Sequence, residues 1–195
     1  MGKAARTRQF IIEKTAPVFN TKGYAGTSMA DLTEATGLTK GSIYGNFENK
    51  DDVALAAFDY NWQQVNAIIE GELARQSSAR DKLLVYVRVY SDYQHYPFPA
   101  GGCPILNTAT EADDTHPLLR GKAVAAIAAW KRNIADLVTL GIGRNEFRPD
   151  VDPEQVALTM IAMIEGTIMI AKLTGKTSFR KYVLQSVETL IGGLA

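Results

Sequence analysis

Apolar residues recur three and four positions apart along almost the whole 195-residue chain, and no run alternates as a half-buried strand would. The pattern predicts an all-α protein. Ile12, Ala16 and Phe19 fall at i, i+4 and i+7 on one face of a first helix, predicted to end before Gly23. Pro17 lies inside it and predicts a kink, because proline removes a backbone hydrogen bond. A second helix is predicted from Ser28, with Asp31 as its capping-box partner, to Gly37. Thr39 is the candidate N-cap of a short third helix reaching Phe47, and Asn49 to Asp52 open a long fourth one carrying Leu55, Phe58, Trp62, Val65 and Ile69.

A fifth helix is predicted over about 80–94. The stretch Tyr96-Pro-Phe-Pro-Ala-Gly-Gly102 must break the pattern, and a short helix is expected after Pro104. Thr115 and Pro117 open another, with Leu119, Ala123, Ala126, Trp130, Ile134 and Leu137 as its stripe. After a turn at Arg148–Pro153, two helices are predicted over about 153–174 and 177–192, both apolar on more than one face; the total is about nine helices.

Composition adds little until it is divided along the chain. With 46% apolar and 22% charged residues the chain is ordinary globular material, and 21 basic residues balance 21 acidic ones. The first 50 residues, however, hold seven basic side chains against four acidic, a net charge of +3, and the remainder is acidic to the same extent. A basic head on an acidic body is the distribution of a two-part nucleic-acid-binding protein. One cysteine excludes an internal disulfide, and with two histidines it leaves too few ligands for a structural zinc; neither metal nor cofactor is expected. Phe10-Ile11-Ile12 is too short an apolar run for a signal-peptide core, so a cytoplasmic chain is expected.

Within the basic head, two short helices joined by Thr36-Gly-Leu-Thr39 form a candidate helix-turn-helix. Leu32, Ala35, Leu38, Ile43 and Phe47 give it an apolar side, and Lys40, Ser42, Tyr44 and Asn46 face the other way with groups that phosphates and base edges require. A plain helical corner would fit the same spacing. The fuller string decides between them. Phe19-Asn-Thr-Lys-Gly-Tyr24, Thr27-Ser-Met-Ala-Asp-Leu32 and Thr36-Gly-Leu-Thr-Lys-Gly-Ser-Ile-Tyr-Gly-Asn-Phe-Glu-Asn-Lys50 resemble, without a gap over about residues 8–58, the TetR/AcrR family of bacterial transcriptional regulators.

That resemblance implies a three-helix DNA-binding domain over residues 1–50 and a helical effector-binding and dimerisation domain over 51–195. It implies a homodimer formed through the last two helices, a pseudo-palindromic duplex operator, and repression relieved by a small molecule. By position, Thr27 and Ser28 match phosphate contacts at the second helix start, where a helix N-terminus attracts anions. Thr39, Lys40, Ser42, Tyr44 and Asn46 match the recognition helix, Lys50 a further phosphate contact, and Gly41 a place of close approach to the DNA backbone. The chain departs from the commonest pattern at Gly45 and Asn46, where bulkier aromatic or imidazole groups are frequent. Asparagine suits adenine in the major groove, whereas glycine loosens a helix by about 1 kcal/mol.

In the body, Trp62, Tyr86, Tyr90, Tyr93, Phe98, Trp130, Met160 and Met163 are either effector-pocket lining or simply core. Residues 153–173 are apolar enough to raise a membrane span, but Glu165 at the centre opposes it, and no membrane partner is expected. Glu165 needs a partner, whether a basic group, a tyrosine hydroxyl or the ligand. Cys103, after two glycines and before Pro104, is either a small buried residue or a reactive thiol at a helix start. No nucleophile motif accompanies it, so the chain is not expected to be an enzyme. The alternatives are a ligand carrier, or a thiol-based sensor or enzyme pairing Cys103 with His95 or His116.

Overall fold

The computed structural model describes residues 2–91 and 96–195, and among them there are nine α-helices and no strand. Tyr93 and His95 lie outside the described residues. The contacts divide the chain into two compact units, Met1–Val65 with Phe98–Ala126, and Asn66–Pro97 with Ile127–Ala195.

In the first unit, α1 (Lys3–Gly26) outruns its predicted end, because Gly23 breaks its geometry without ending it: Gly23 adopts φ 75°, and one more helical turn follows. The break expected at Pro17 lies instead at this glycine, and Pro17 sits within helical backbone. α2 (Met29–Thr36) starts and stops as its caps dictate, with the Ser28/Asp31 capping box at one end and Gly37 at φ 67° at the other. α3 (Lys40–Tyr44) is three residues shorter than predicted, because its last turn loosens at Gly45 while the Asn46 and Phe47 N–H groups still bond the Ile43 carbonyl. α2 packs on α1 and α3 on α2, with Ile11, Ala16, Leu32 and Ile43 fully buried. α4 (Lys50–Leu73) starts where Asn49 Oδ1 accepts from the Asp52 N–H at 2.9 Å. α6 (Pro104–Ala112) packs against α1.

In the second unit, α5 (Ala79–Ser91) packs on α9 (Arg180–Gly192), and α9 on α8 (Pro153–Thr174). α7 (Pro117–Gly143) brings Trp130, Ile134 and Val138 to this core, each 2% exposed or less. Asp152 caps α8 through the N–H groups of Glu154 and Gln155. The last predicted helix begins as a 3-10 turn over Thr177–Phe179 before α9 takes over. α8 is long and apolar enough to cross a membrane by length and composition. Its buried face, including Ala157, Met160, Ile164, Ile168 and Ala171, is spaced as one side of a helix that serves a protein core.

Candidate nucleic-acid interface

The helix pair is fixed from the capping residues outward. Ser28 Oγ accepts from the Asp31 N–H at 3.2 Å, while Asp31 Oδ2 accepts from the Ser28 N–H at 2.7 Å and from its hydroxyl at 2.6 Å. Lys22 on α1 reaches the other oxygen of Asp31 at 2.5 Å, tying α1 to α2. Lys22 and the two Ser28 bonds hold the Asp31 carboxyl below the usual carboxylate range, and Asp31 in return raises the Lys22 ammonium. At the turn, the Thr36 hydroxyl donates to the Leu32 carbonyl and accepts from the Leu38 N–H, so the corner is closed by side chains as well as by Gly37.

This frame leaves one face of α3 open. Thr39 caps α3 by accepting from the Ser42 N–H at 3.2 Å. Lys40, Gly41 and Tyr44 are exposed, Ser42 is half-buried, and the Lys40 ammonium sits 5.8 Å from the Tyr44 ring centroid. The Asn46 amide donates to the Ser42 carbonyl at 2.9 Å and remains half-buried. Ser28 is exposed, but Thr27 is 1% exposed and its hydroxyl donates inward to the Gly23 carbonyl at 2.6 Å. The exposed hydroxyl at the start of α2 is therefore that of Ser28, held in place by its two bonds with Asp31. Such a face offers cations and donors to phosphates and donors to base edges.

A second cluster supports Lys50, and it was not read from the sequence. The Lys50 ammonium lies 4.2 Å from the centroid of the Tyr24 ring, whose hydroxyl donates to Asp51. That bond, with burial second, pushes the Tyr24 hydroxyl up to about 12. His116 meets the same ring edge-on at 4.4 Å and places Nε2 3.7 Å from Asp51, while its Nδ1 accepts from the Leu119 N–H at the start of α7. Each of these residues is remote in sequence from at least one of its partners, and no local periodicity marks them.

The candidate ligand residues divide between the units. Trp62, Phe98 and Cys103 belong to the first; Tyr86, Tyr90, Trp130, Met160, Met163 and Glu165 belong to the second. Tyr86 and Tyr90 stack on Trp130 with centroids 6.4 and 5.5 Å apart, and all three rings are at most 2% exposed. Burial raises the Tyr86 hydroxyl well above its ordinary value. Met160 is fully buried, while Trp62, Phe98, Met163 and Glu165 are half-buried. Cys103 is 1% exposed at the N-cap position of α6. Among the described residues, no three His, Cys, Asp or Glu side chains group as a metal site would need.

A capped helix pair that turns lysine, tyrosine and serine outward from a basic segment defines a helix-turn-helix DNA-binding protein. Comparison with known proteins supplies the family. The model for bacterial regulatory proteins of the tetR family matches residues 11–57, and that for the tetracyclin repressor-like C-terminal domain matches residues 79–187. A TetR-family transcriptional regulator from Cytophaga hutchinsonii is 54% identical, with a TM-score of 0.96 over 100% of this chain and 97% of that one. A TetR regulator from Chloroflexus aurantiacus is 40% identical, with a TM-score of 0.93 over 98% and 97%. The transcriptional repressor DhaR of Mycobacterium sp. is 26% identical over 174 residues, 87% of this chain and 85% of that protein. The chain belongs to the TetR family of transcriptional regulators.

Proposed function

We propose that the chain is a ligand-responsive repressor that binds a pseudo-palindromic operator as a homodimer and leaves it when a small molecule occupies the body. The open face of α3, held by caps at both helices of the pair, is the observation that carries this reading. Lys40 and Tyr44 are assigned to the major groove together with Ser42, with Thr39 and Gly41 at the point where the helix start nears the backbone. Asn46 holds the end of α3 through Ser42 and presents what remains of its amide to a base. Ser28 and Lys50 are assigned to phosphates, and Thr27 to holding the turn from which Ser28 projects.

The dimer is assigned to α8 and α9. Leu158, Ala162, Met169 and Leu173 share one exposed stripe of α8, and Tyr182 adds a 61% exposed ring on α9. Glu165 falls on the same stripe by its spacing, which favours an interface role for it over contact with a ligand. The effector is assigned to the aromatic interior of the second unit around Tyr86, Tyr90 and Trp130. It must bind the form that releases DNA more tightly than the form that holds it, since equal affinity shifts nothing. This reading leaves Cys103, 1% exposed at the start of α6, as a packing residue rather than an enzymatic nucleophile.

The test is selection of binding sites from random duplex DNA with purified protein. An enriched pseudo-palindrome whose affinity falls steeply with salt, and is lost in Lys40→Ala/Tyr44→Ala, is the expected result. A folded dimer that enriches nothing would overturn it.

A further inference from the structure

We infer that Glu111 of α6 is a positioning residue for operator binding, holding the turn from which Ser28 meets the DNA. The inference rests on the DNA-binding reading above.

Gly23 interrupts α1, so the helical turn that follows begins with N–H groups that α1 itself cannot bond. The Glu111 carboxylate takes two of them: Oε2 accepts from the Tyr24 N–H at 2.6 Å and Oε1 from the Ala25 N–H at 2.7 Å. A Cβ at Gly23 would stand 2.5 Å from Oε2, so the glycine supplies both the φ of 75° and the space that the carboxylate fills. The Gly23 carbonyl in turn accepts the Thr27 hydroxyl, and the Tyr24 carbonyl accepts the Thr27 N–H at 3.3 Å. Thr27 is thereby wound onto the turn that Glu111 grips, and Ser28 is the next residue.

The grip is not isolated. One turn earlier on α6, the Asn107 amide donates to the Asn20 carbonyl at 3.0 Å, and the Asn20 amide donates to the carbonyls of Ala100 and Gly102 at 2.7 and 3.0 Å. The end of α1 is thus bound to α6 and to the loop before it, 80 or more residues away in sequence. Beside this seam lies a crevice of about 30 Å³, room for a water or two. Water entering it can satisfy the Tyr24 and Ala25 N–H groups when Glu111 is truncated, but it cannot fix their place relative to α6. Loss of position therefore separates from loss of stability.

The experiment compares wild type, Glu111→Ala, Glu111→Gln and Ser28→Ala, with the Glu111→Ala/Ser28→Ala double variant, on the duplex selected by wild type, alongside residue-resolved amide exchange. Glu111→Ala is expected to weaken operator binding about tenfold while staying folded and dimeric, and Glu111→Gln, which keeps one acceptor oxygen, about threefold. Exchange at Tyr24 and Ala25 should quicken without a change in the buried amides of α4. The costs of Glu111→Ala and Ser28→Ala should not multiply in the double variant, because one acts through the other; a merely structural glutamate would give multiplying costs. Wild-type affinity in folded Glu111→Ala, unchanged exchange at Tyr24 and Ala25, or multiplying costs would each overturn the role. A wild type that selects no duplex overturns the DNA-binding reading and this role together, whereas equal binding by wild type and Glu111→Ala overturns the role alone.

Discussion

Tyr24 is one side chain that ties α1 to the start of α4 and lies against a lysine assigned above to phosphate. Its ring lies under the Lys50 ammonium and its hydroxyl is held by Asp51, so Tyr24→Phe keeps the ring and removes the bond. A hydrogen bond to a charged acceptor contributes about 1.5–3 kcal/mol when buried; at this half-buried site the loss should be about 1 kcal/mol, read from urea denaturation. The pH profile has a definite sign. The hydroxyl is raised from the ordinary 10 to about 12, so the folded chain holds a proton that the unfolded chain gives up. The stabilisation is therefore complete below pH 10 and lost as pH rises through 12, and the gap between wild type and Tyr24→Phe should close over that interval. Asp31 runs the opposite way. Its carboxyl is held low by Lys22 and Ser28, so its contribution is present above about pH 4 and fades as acid protonates the folded state. Asp31→Asn should be less stable than wild type at neutral pH, with the difference shrinking in acid.

At the scale of the element, the helix termini were legible because capping is local. Ser28 with Asp31, Thr39, Asn49 with Asp52, and Gly37 each act within four residues, and each stands where its pattern placed it. The break in α1 was not legible in the same way. Gly23 announced a stop, but the helical turn beyond it has its first N–H groups bonded by Glu111 of α6, a partner more than 80 residues away that no local pattern marks. The 3-10 opening of the last helix likewise left no mark on apolar spacing. Two glycines of the helix pair make this distinction measurable. Gly37 has φ 67° and nothing within 4 Å of an added Cβ, so Gly37→Ala meets backbone strain alone and should cost about 1 kcal/mol. Gly45 has φ −72°, and its added Cβ would lie 3.4 Å from the Gly41 carbonyl oxygen, an ordinary contact. Gly45→Ala should therefore stabilise by about 0.4–1 kcal/mol by restricting the unfolded chain. Thermal melts of the two variants should move in opposite directions.

At the scale of the whole molecule, the outward face of the helix pair was readable because α3 is short and exposed, whereas a pocket in the body was not. Stacked Tyr86, Tyr90 and Trp130 present the same spacing whether they line a pocket or fill a core, and composition cannot separate the two. The proposed dimer face lies between these cases: α8 had too many apolar sides for one core, and the structure leaves Leu158, Met169 and Leu173 exposed along one of them. A carboxylate there would be buried unpaired on association, so Leu158→Glu/Leu173→Glu should give a folded monomer by sedimentation equilibrium. A variant that stays dimeric would place the interface elsewhere. The consequence for DNA follows from geometry. Two heads that engage successive major grooves require half-sites about 34–36 Å apart, near one turn of duplex. Inserting five base pairs between the half-sites of the selected operator turns one of them to the opposite face, so wild type should bind it no better than a single half-site. Ten inserted base pairs restore the facing but stretch the spacing by a full turn, and recover binding only as far as the dimer can open. The double variant, already monomeric, should bind all three duplexes alike, which separates a lost dimer from a damaged reading head.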